Sequence, residues 1–344
     1  MIRDDIPPEV GAGIAGEPEI LPLLGLPVVK RSLGSSLRSR RLRIRSPAAL
    51  ILVIVVTLVV SPRIIAPRQL PVLALAWAPL GIAGLGEMMA VLLGGFDLSV
   101  GAVISLVNLV LTGYTLGQNS RALLGVAICL AIAIAIGLVN ATAIVVVGIN
   151  PFVATLATSS IILGVGLLYT AGSPQGSVPQ RLLVLGSGRV GSLPVSGIIW
   201  FAIAALMLFV LRGTTWGRRF YAVGANTRAA ELMGIPASRY RFTGYVASAV
   251  LAGIAGLVLS AYTGTATINL GSAYMLNSIA VVIIGGATFR GGEGGVVGTV
   301  VGTWTLAILF SVLIAVNVPE AIKMSAQGLI LLVAVGMYSL QRRQ

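Results

Sequence analysis

The sequence predicts an all-α fold, a polytopic membrane helical bundle of about ten transmembrane helices with both termini in the cytoplasm. Three observations carry this prediction. The 344 residues are 57% hydrophobic and only 10% charged, whereas a soluble domain carries about 25% charged residues. The mean hydropathy is +1.00. Most long segments are apolar on every side, which is typical of helices surrounded by lipid or by other helices.

Ten apolar runs bounded by glycine, proline or charge are the candidate spans. A helix needs about 20 apolar residues to cross the hydrocarbon core of a bilayer. The eighth run is short and ends at Gly285-Gly286, so it is a full span, a half-span or a re-entrant element. The runs cover residues 47–62, 70–93, 98–117, 122–147, 152–171, 197–211, 242–262, 275–287, 295–316 and 320–340.

The distribution of positive charge orients these spans. If the N-terminus is inside and the spans alternate, the cytoplasmic segments hold 17 lysines and arginines, against six on or near the other side. Positive residues favour the cytoplasmic side, so both termini are predicted there. Residues 1–46 are predicted to be a disordered basic cytoplasmic tail, which either contacts anionic lipid headgroups or only sets the topology. Residues 47–340 form the predicted transmembrane domain.

The composition also excludes several classes of function. The chain has no histidine and a single cysteine, Cys129, so no disulfide framework, cysteine-based metal site or histidine-based catalysis is expected. The net charge of +13 lies in clusters that flank apolar runs, which argues for membrane topology rather than nucleic-acid binding. The glycine-rich residues 291–295 lack the lysine of a nucleotide-binding loop. The recurrence of Gly294, Gly298 and Gly302 every four residues is interpreted as a ridge for close helix packing.

Three polar loops interrupt the apolar runs. Residues 172–196 and 263–274 are predicted to be external, and residues 212–241 form the large internal loop. Within the internal loop, Asn226 is a good N-cap and Gly234 a good C-terminal stop. The intervening helix is about two turns long and needs a surface to be stable. It is therefore either an ordinary linker helix or an element that docks on a partner.

Two carboxylates lie within or between apolar runs. Asp97 follows two glycines and is predicted to be the N-cap of the third span, with a contact to substrate or gate as the alternative. Glu87 lies within the second span. It is either a hydrogen-bonded interhelical carboxyl or a ligand for the hydroxyl groups of a solute, because a charge at membrane depth is costly.

Neutral polar side chains recur in the neighbouring spans. Such groups exchange hydrogen bonds with a polyhydroxylated solute without the desolvation of a charge. The alternative is that they join helices to each other, as serine, threonine and asparagine commonly do in membranes. Together with the two acids they are the candidates for lining a solute path: Glu87, Asp97, Asn108, Asn140, Thr155, Thr158 and Ser159.

Four segments, in order, resemble a known family. Residues 94–101 read Gly-Gly-Phe-Asp-Leu-Ser-Val-Gly and residues 150–156 read Asn-Pro-Phe-Val-Ala-Thr-Leu. Residues 217–235 begin Gly-Arg-Arg-Phe-Tyr-Ala and end Gly-Ile, and a glycine-rich stretch covers residues 283–302. All four are similar to motifs of the permease subunits of ribose/xylose/arabinose/galactoside-type importers, the carbohydrate uptake family of the ATP-binding-cassette (ABC) transporters. Three features depart from that family, namely the long N-terminal tail, Phe96 in place of isoleucine and Glu87 in place of a neutral residue.

The resemblance implies a transport subunit rather than an enzyme, in the bacterial inner membrane, which passes a monosaccharide or similar solute. The chain itself would bind no cofactor. ATP with magnesium would be hydrolysed by a separate cytoplasmic ATPase docked on residues 212–241. Further partners would be a periplasmic or lipid-anchored sugar-binding protein and a second permease copy or paralogue. The residues that would couple to the ATPase are Asn226, Glu231, Leu232, Met233 and Gly234.

Two other classes of function are weighed against the importer. An ion-coupled secondary transporter of a small polar solute usually carries intramembrane acid, base or histidine relays, and here Glu87 and Asp97 are the clear candidates. A membrane-embedded enzyme would need a catalytic constellation, and the absence of histidine removes the commonest general base.

Overall fold

The computed structural model describes residues 50–55, 57–319, 321–323, 325 and 328, and these all belong to one unit of the chain, Leu42–Gln344. Residues 321–323, 325 and 328 are helical, and twelve α-helices lie within residues 50–315. They are α1 Leu50–Val60, α2 Leu70–Leu92, α3 Val100–Thr115, α4 Ala122–Ala141, α5 Pro151–Thr170, α6 Gln180–Ser187, α7 Val195–Gly213, α8 Thr215–Ala225, α9 Thr227–Leu232, α10 Ala237–Thr263, α11 Ser272–Ile284 and α12 Val296–Ala315. A two-stranded hairpin, β1 Arg189–Val190 and β2 Leu193–Pro194, precedes α7.

Nine of the ten predicted spans coincide with helices. Six helices are long and apolar enough to cross a membrane, and α1, α3 and α11 are shorter apolar helices. The tenth predicted span, 320–340, and the predicted tail, 1–46, lie almost wholly or wholly outside the described residues. The total of about ten spans and the cytoplasmic placement of both termini therefore stay predictions.

The start of a span differs most at α10, which begins at Ala237, whereas its span was predicted to begin at residue 242. Hydropathy locates only the apolar part of a helix. Residues 237–241 of α10 include two arginines and a serine, so hydropathy does not detect this first part of the helix. The predicted eighth span corresponds to α11, whose 13 residues reach about 20 Å at 1.5 Å per residue. This is shorter than the ~30 Å hydrocarbon core.

Helix α2 lies at the centre of the fold. In its most apolar window 72% of the residues are buried, whereas the corresponding value is 28% for α4, α5 and α7. Three glycines explain this position, because each lets a different helix approach. Gly81 packs under Trp200 of α7, and Gly84 lies where an added Cβ would stand 2.6 Å from Val281 of α11. Gly86 faces the backbone of α10.

Helices α11 and α12 also approach each other through glycine. A Cβ on Gly298 would collide with the carbonyl oxygen of Gly285, and one on Gly302 would collide with that of Val281. The prediction that these positions form a packing ridge is confirmed for Gly298 and Gly302. Gly294 instead lies in the turn before α12, with φ +117°.

The two loops that were predicted to be external pair with each other. Ser177 and Thr265 form an isolated antiparallel bridge, and the amide of Val178 donates to the carbonyl of Gly264 at 3.0 Å. After this bridge the chain runs back alongside α3 as far as Gly271, which packs against Gly101 near the start of α3. Residues 264–271 therefore descend beside a membrane helix before α11 begins.

Candidate functional site

The break between α2 and α3 is organised by Asp97. The backbone amide of Ser99 donates to Asp97 Oδ1 at 3.0 Å, and the Ser99 hydroxyl donates to the same oxygen. The prediction that Asp97 is the N-cap of α3 is wrong in position, because Ser99 occupies the cap. Asp97 acts two residues earlier and closes the turn that leads into the helix, as aspartate commonly does through its own neighbouring amides.

Glu87 and Asp97 belong to one buried polar cluster. Both side chains are fully buried, and the backbone amide of Asp97 donates to Glu87 Oε1 at 3.2 Å. Asn140 of α4 joins the cluster, since its Nδ2 donates to Ser99 Oγ at 2.9 Å. Glu87 Oε2 and Asp97 Oδ2 have no hydrogen-bond partner among the described residues. The cluster fixes α2, α4 and the helix break relative to one another.

The three polar residues that were predicted to share a face of α5 differ in their burial. Thr155 Oγ1 accepts a hydrogen bond from the amide of Leu98 at 3.1 Å and donates to the carbonyl of Pro151 at 2.8 Å. Thr155 and Ser159 are buried and Thr158 is half-buried. Thr155 therefore holds the helix break against α5 and is not a free group on an open path.

Asn108 anchors the descending segment 264–271. Its Nδ2 donates to the carbonyl of Thr265 at 3.0 Å and to Ser260 Oγ at 3.1 Å, and its Oδ1 accepts from the amide of Thr267 at 2.8 Å. Ser105, one turn earlier on α3, accepts from the amide of Gly271 at 2.9 Å. These bonds satisfy irregular backbone at membrane depth, which is tolerated only where protein or a cavity surrounds it.

The anchored segment alternates in exposure. Thr265, Thr267 and Asn269 are exposed, whereas the residues between them are partly covered. A cavity of about 230 Å³ lies where α11 begins. It combines aromatic, aliphatic and polar side chains from α2, α11, α12 and the segment after α12: Trp77, Leu80, Ala273, Tyr274, Asn277, Phe310, Ile314 and Lys323.

Sequence reasoning missed this cavity entirely. Its Trp77 and Phe310 rings stack with centroids 5.8 Å apart, and Asn277 is almost fully buried. Asn277 stands in a run of apolar residues, which was the available signal. This signal was incomplete because the other walls of the cavity are distant in sequence from Asn277. Trp77 of α2 lies about 200 positions before it, and Phe310 of α12 lies about 30 positions after it.

The internal loop contains a second helix that was not predicted. Helix α8 is attached to the rest of the bundle by Phe220, which is fully buried, and by Trp216, whose ring lies 5.8 Å from that of Tyr240. The hydroxyl of Tyr221 donates to the carbonyl of Gly294 at 3.2 Å. Burial raises the pKa of the Tyr221 phenol, so this donor keeps its proton at neutral pH.

The predicted short helix is confirmed as α9. The Asn226 side chain accepts from the amide of Ala229 at 3.0 Å, as an N-cap does, and Gly234 has φ +77°. Ala230 is fully buried on the α8 side, whereas Leu232 is 84% and Met233 70% exposed. The two adjacent apolar side chains are therefore both strongly exposed at the end of α9.

Comparison with known proteins decides the family. A family model described as "Branched-chain amino acid transport system / permease component" matches residues 72–335, which include all but the first two residues of α2 and the whole of α3 to α12. The chain belongs to this permease family. A protein named as a probable ABC transporter permease from Sinorhizobium fredii is 36% identical over 76% of this chain and 78% of its own length. No solved structure matches.

Other relatives in the family are named for the sugars that they import. A ribose import permease of Bacillus subtilis is 30% identical over 83% of this chain and 88% of its own length. A galactose/methyl galactoside import permease of Haemophilus influenzae is 32% identical over 76% of this chain and 82% of its own. The family resemblance drawn from four motifs is confirmed. Membership in a family of ABC permeases favours an ATP-driven transport subunit over an ion-coupled transporter.

Proposed function

We propose that this chain is the permease subunit of an ATP-driven importer that moves a monosaccharide or a similar small polyhydroxylated solute across the bacterial inner membrane. The observation that carries the proposal is the attachment of α8 to the end of α2. A Cβ on Gly224 would collide with the carbonyl oxygen of Leu92, so the backbone of α8 lies directly against the end of α2, where the helix break begins. Such a contact can convert movement of a docked partner into movement of the membrane helices.

The solute route in this proposal begins at the paired external loops. The exposed polar side chains of Thr265, Thr267 and Asn269 line its upper part, and the cavity around Trp77 and Asn277 its lower part. Aromatic faces with a few polar groups are the usual lining of small-molecule sites. The cavity is smaller than the ~300–1,000 Å³ pockets that hold drug-sized ligands, in keeping with a small solute. The sugars named for the relatives support this class.

The proposed partners follow from the two faces of the chain. A cytoplasmic ATPase, which would hydrolyse ATP with magnesium, docks on the surface of α9 through Leu232 and Met233, with Glu231 free to meet a basic group. A periplasmic or lipid-anchored sugar-binding protein delivers the solute to the loops joined at Ser177 and Thr265. A second permease copy or paralogue completes the membrane unit. Both termini lie in the cytoplasm in this arrangement.

Vesicle transport tests the proposal. The chain is co-reconstituted with its cognate ATPase and binding protein, and uptake of radiolabelled ribose, xylose, arabinose and galactose is measured. Uptake of at least one sugar is expected only when ATP and the binding protein are both present. Uptake driven by a proton or sodium gradient without ATP would support the ion-coupled alternative instead. Uptake of branched-chain amino acids but of no sugar would contradict the solute class.

A further inference from the structure

A large apolar groove lies between four helices, away from the proposed solute route. Its volume is about 780 Å³. Its lining comes from α1, α2, α7, α12 and strand β2. Several lining side chains are exposed, including Leu70 at 40% and Phe201 at 45%. The full lining is Leu50, Ile54, Pro67, Leu70, Pro71, Ala74, Leu193, Pro194, Gly197, Ile198, Phe201, Ala202, Trp304 and Ile308.

The shape of the groove suits a flexible hydrocarbon chain. Along α7 the lining runs from Gly197 to Ala202, about 7.5 Å at 1.5 Å per residue, and Leu193 and Pro194 of β2 extend it beyond the start of the helix. The base at Trp304 and Ile308 lies near the middle of the 20-residue α12. The groove thus extends from the end of two helices toward the centre of the bundle. Its lining is aliphatic and aromatic, so it offers almost no partner for a polar solute.

Positive charge is concentrated at one end of this groove. Exposed Arg63 and Arg68 flank Pro67 on the α2 side, and Arg189 on β1 is the register partner of Pro194 across the hairpin. The charge bias predicts this end to be external, where arginines are disfavoured. None of the described acidic residues, Glu87, Asp97, Glu231 and Glu293, is among the residues that line the groove.

We infer that the groove binds an anionic phospholipid. One acyl chain fills the apolar groove, and the phosphate lies against Arg63, Arg68 and Arg189. Anionic headgroups are attracted to clustered basic side chains near a membrane surface, and arginine matches the oxygen geometry of phosphate. A bound lipid would connect the α1–α2 hairpin to the β1–β2 hairpin and α7. The inference does not depend on which solute the protein carries.

Native mass spectrometry of the detergent-purified chain tests the inference. Phosphatidylglycerol and phosphatidylcholine with identical acyl chains are titrated separately. The wild type is expected to retain phosphatidylglycerol in preference. Each basic side chain near the surface contributes about 1 kcal/mol, so the triple variant Arg63→Gln/Arg68→Gln/Arg189→Gln should bind phosphatidylglycerol roughly a hundredfold more weakly. The matched control is Arg121→Gln/Arg181→Gln, which removes predicted external arginines elsewhere and should keep the preference.

A second pair of variants tests the groove itself. Ala202 is exposed and lines the groove, whereas Ala205 is exposed on the same helix and does not line it. Ala202→Phe should lower binding of both lipids at least tenfold, and Ala205→Phe should leave it unchanged, with both variants eluting like wild type from a sizing column.

Three results would overturn the inference. They are equal affinity for the two lipids, retained preference in the triple arginine variant, and unchanged binding in Ala202→Phe. Cross-linking between copies through Ile198→Cys in a Cys129→Ala background, without retained phospholipid, would also overturn it and would assign the groove to a second copy of the chain.

Discussion

The amide of Gly292 donates to the carbonyl of Leu92 at 2.8 Å, which joins the last residue of α2 to a turn 200 positions later. Gly224 of α8 packs against the same carbonyl. Three distant segments therefore meet at the point where α2 ends and the break before α3 begins. Glu87 and Asp97 lie five residues before and five residues after Leu92. Movement of α8 should therefore reach the buried polar cluster through this junction.

Substitution of Gly224 by alanine should uncouple the two sides of this junction. The added Cβ would collide with the Leu92 carbonyl, so α8 has to shift away. We expect ATPase stimulation by the loaded binding protein to fall at least tenfold, while membrane insertion is retained. Gly164→Ala is the control, because its Cβ would meet nothing within 4 Å. Wild-type stimulation in Gly224→Ala would show that this contact does not transmit movement.

Glu87→Gln should be tolerated, whereas Glu87→Leu should not. Glutamine keeps an oxygen that can accept from the Asp97 amide, and the second carboxyl oxygen that it replaces has no hydrogen-bond partner among the described residues. Leucine leaves that amide unpaired, which costs about 1–3 kcal/mol. Thermal unfolding in detergent measures the difference, with a lower midpoint expected only for Glu87→Leu. Loss of uptake in a stably folded Glu87→Gln variant would instead indicate a role that depends on the charge.

Asp97→Asn should likewise retain most uptake, and Asp97→Ala should lower the yield of folded protein. Asparagine Oδ1 can accept the two hydrogen bonds that Ser99 donates, whereas alanine accepts none. Fluorescence-detected size exclusion of tagged variants compares the folded yield. A stable, assembled Asp97→Asn variant without uptake would contradict the structural role and point to the carboxylate itself.

Asn277→Ala should impair uptake without loss of folding if the cavity beside α11 belongs to the solute route. The amide lies among Trp77, Tyr274 and Phe310, where it can exchange hydrogen bonds with hydroxyl groups. We expect a severalfold higher KM or lower maximal uptake, and an unfolding midpoint close to wild type. Ser160→Ala, exposed on α5 and outside the cavity lining, is the control. Unchanged kinetics in Asn277→Ala would place the route elsewhere.

Local signals in the sequence were sufficient for much of the fold. Hydropathy located nine of the described helices, and the Asn226 cap together with Gly234 located α9. Both signals were sufficient because each depends only on residues that are close together in the sequence. Helix α8 escaped prediction because its glycines are poor helix formers and its stability comes from burial of Phe220.

The candidate site was predicted less well, since its partners are distant in sequence. Asn108 and Thr155 were recognised as polar residues in spans, but their partners, Thr265 to Thr267 and Leu98, follow from tertiary packing. Their bonds favour the alternative that such residues join segments together. The cavity around Asn277 needed walls from α2 and α12, and no local pattern in either helix indicates it.

The surface of α9 gives the decisive test of docking. Leu232 is 84% exposed on a helix of six residues, which is too short to be stable without its contacts to α8. If Leu232 is a hot spot of the proposed interface, its loss costs about 2 kcal/mol or more, which is over tenfold in affinity. Leu232→Asp introduces a charge into the proposed contact and leaves the buried Ala230 side untouched, so the protein should insert and fold normally.

The Leu232→Asp variant is expected to lose co-purification with the ATPase, or to co-purify without stimulated hydrolysis. Val190→Asp is the matched control, since Val190 is 65% exposed in the hairpin on the predicted external side. Pull-down of the tagged chain followed by ATPase assay in vesicles separates the two outcomes. If Leu232→Asp binds the ATPase and stimulates hydrolysis like wild type, α9 is not the docking element. The ATPase would then have to contact a different part of the chain in order to act on Gly224 and Leu92. Met233 alone could not provide that contact, because it lies beside Leu232 on the same surface.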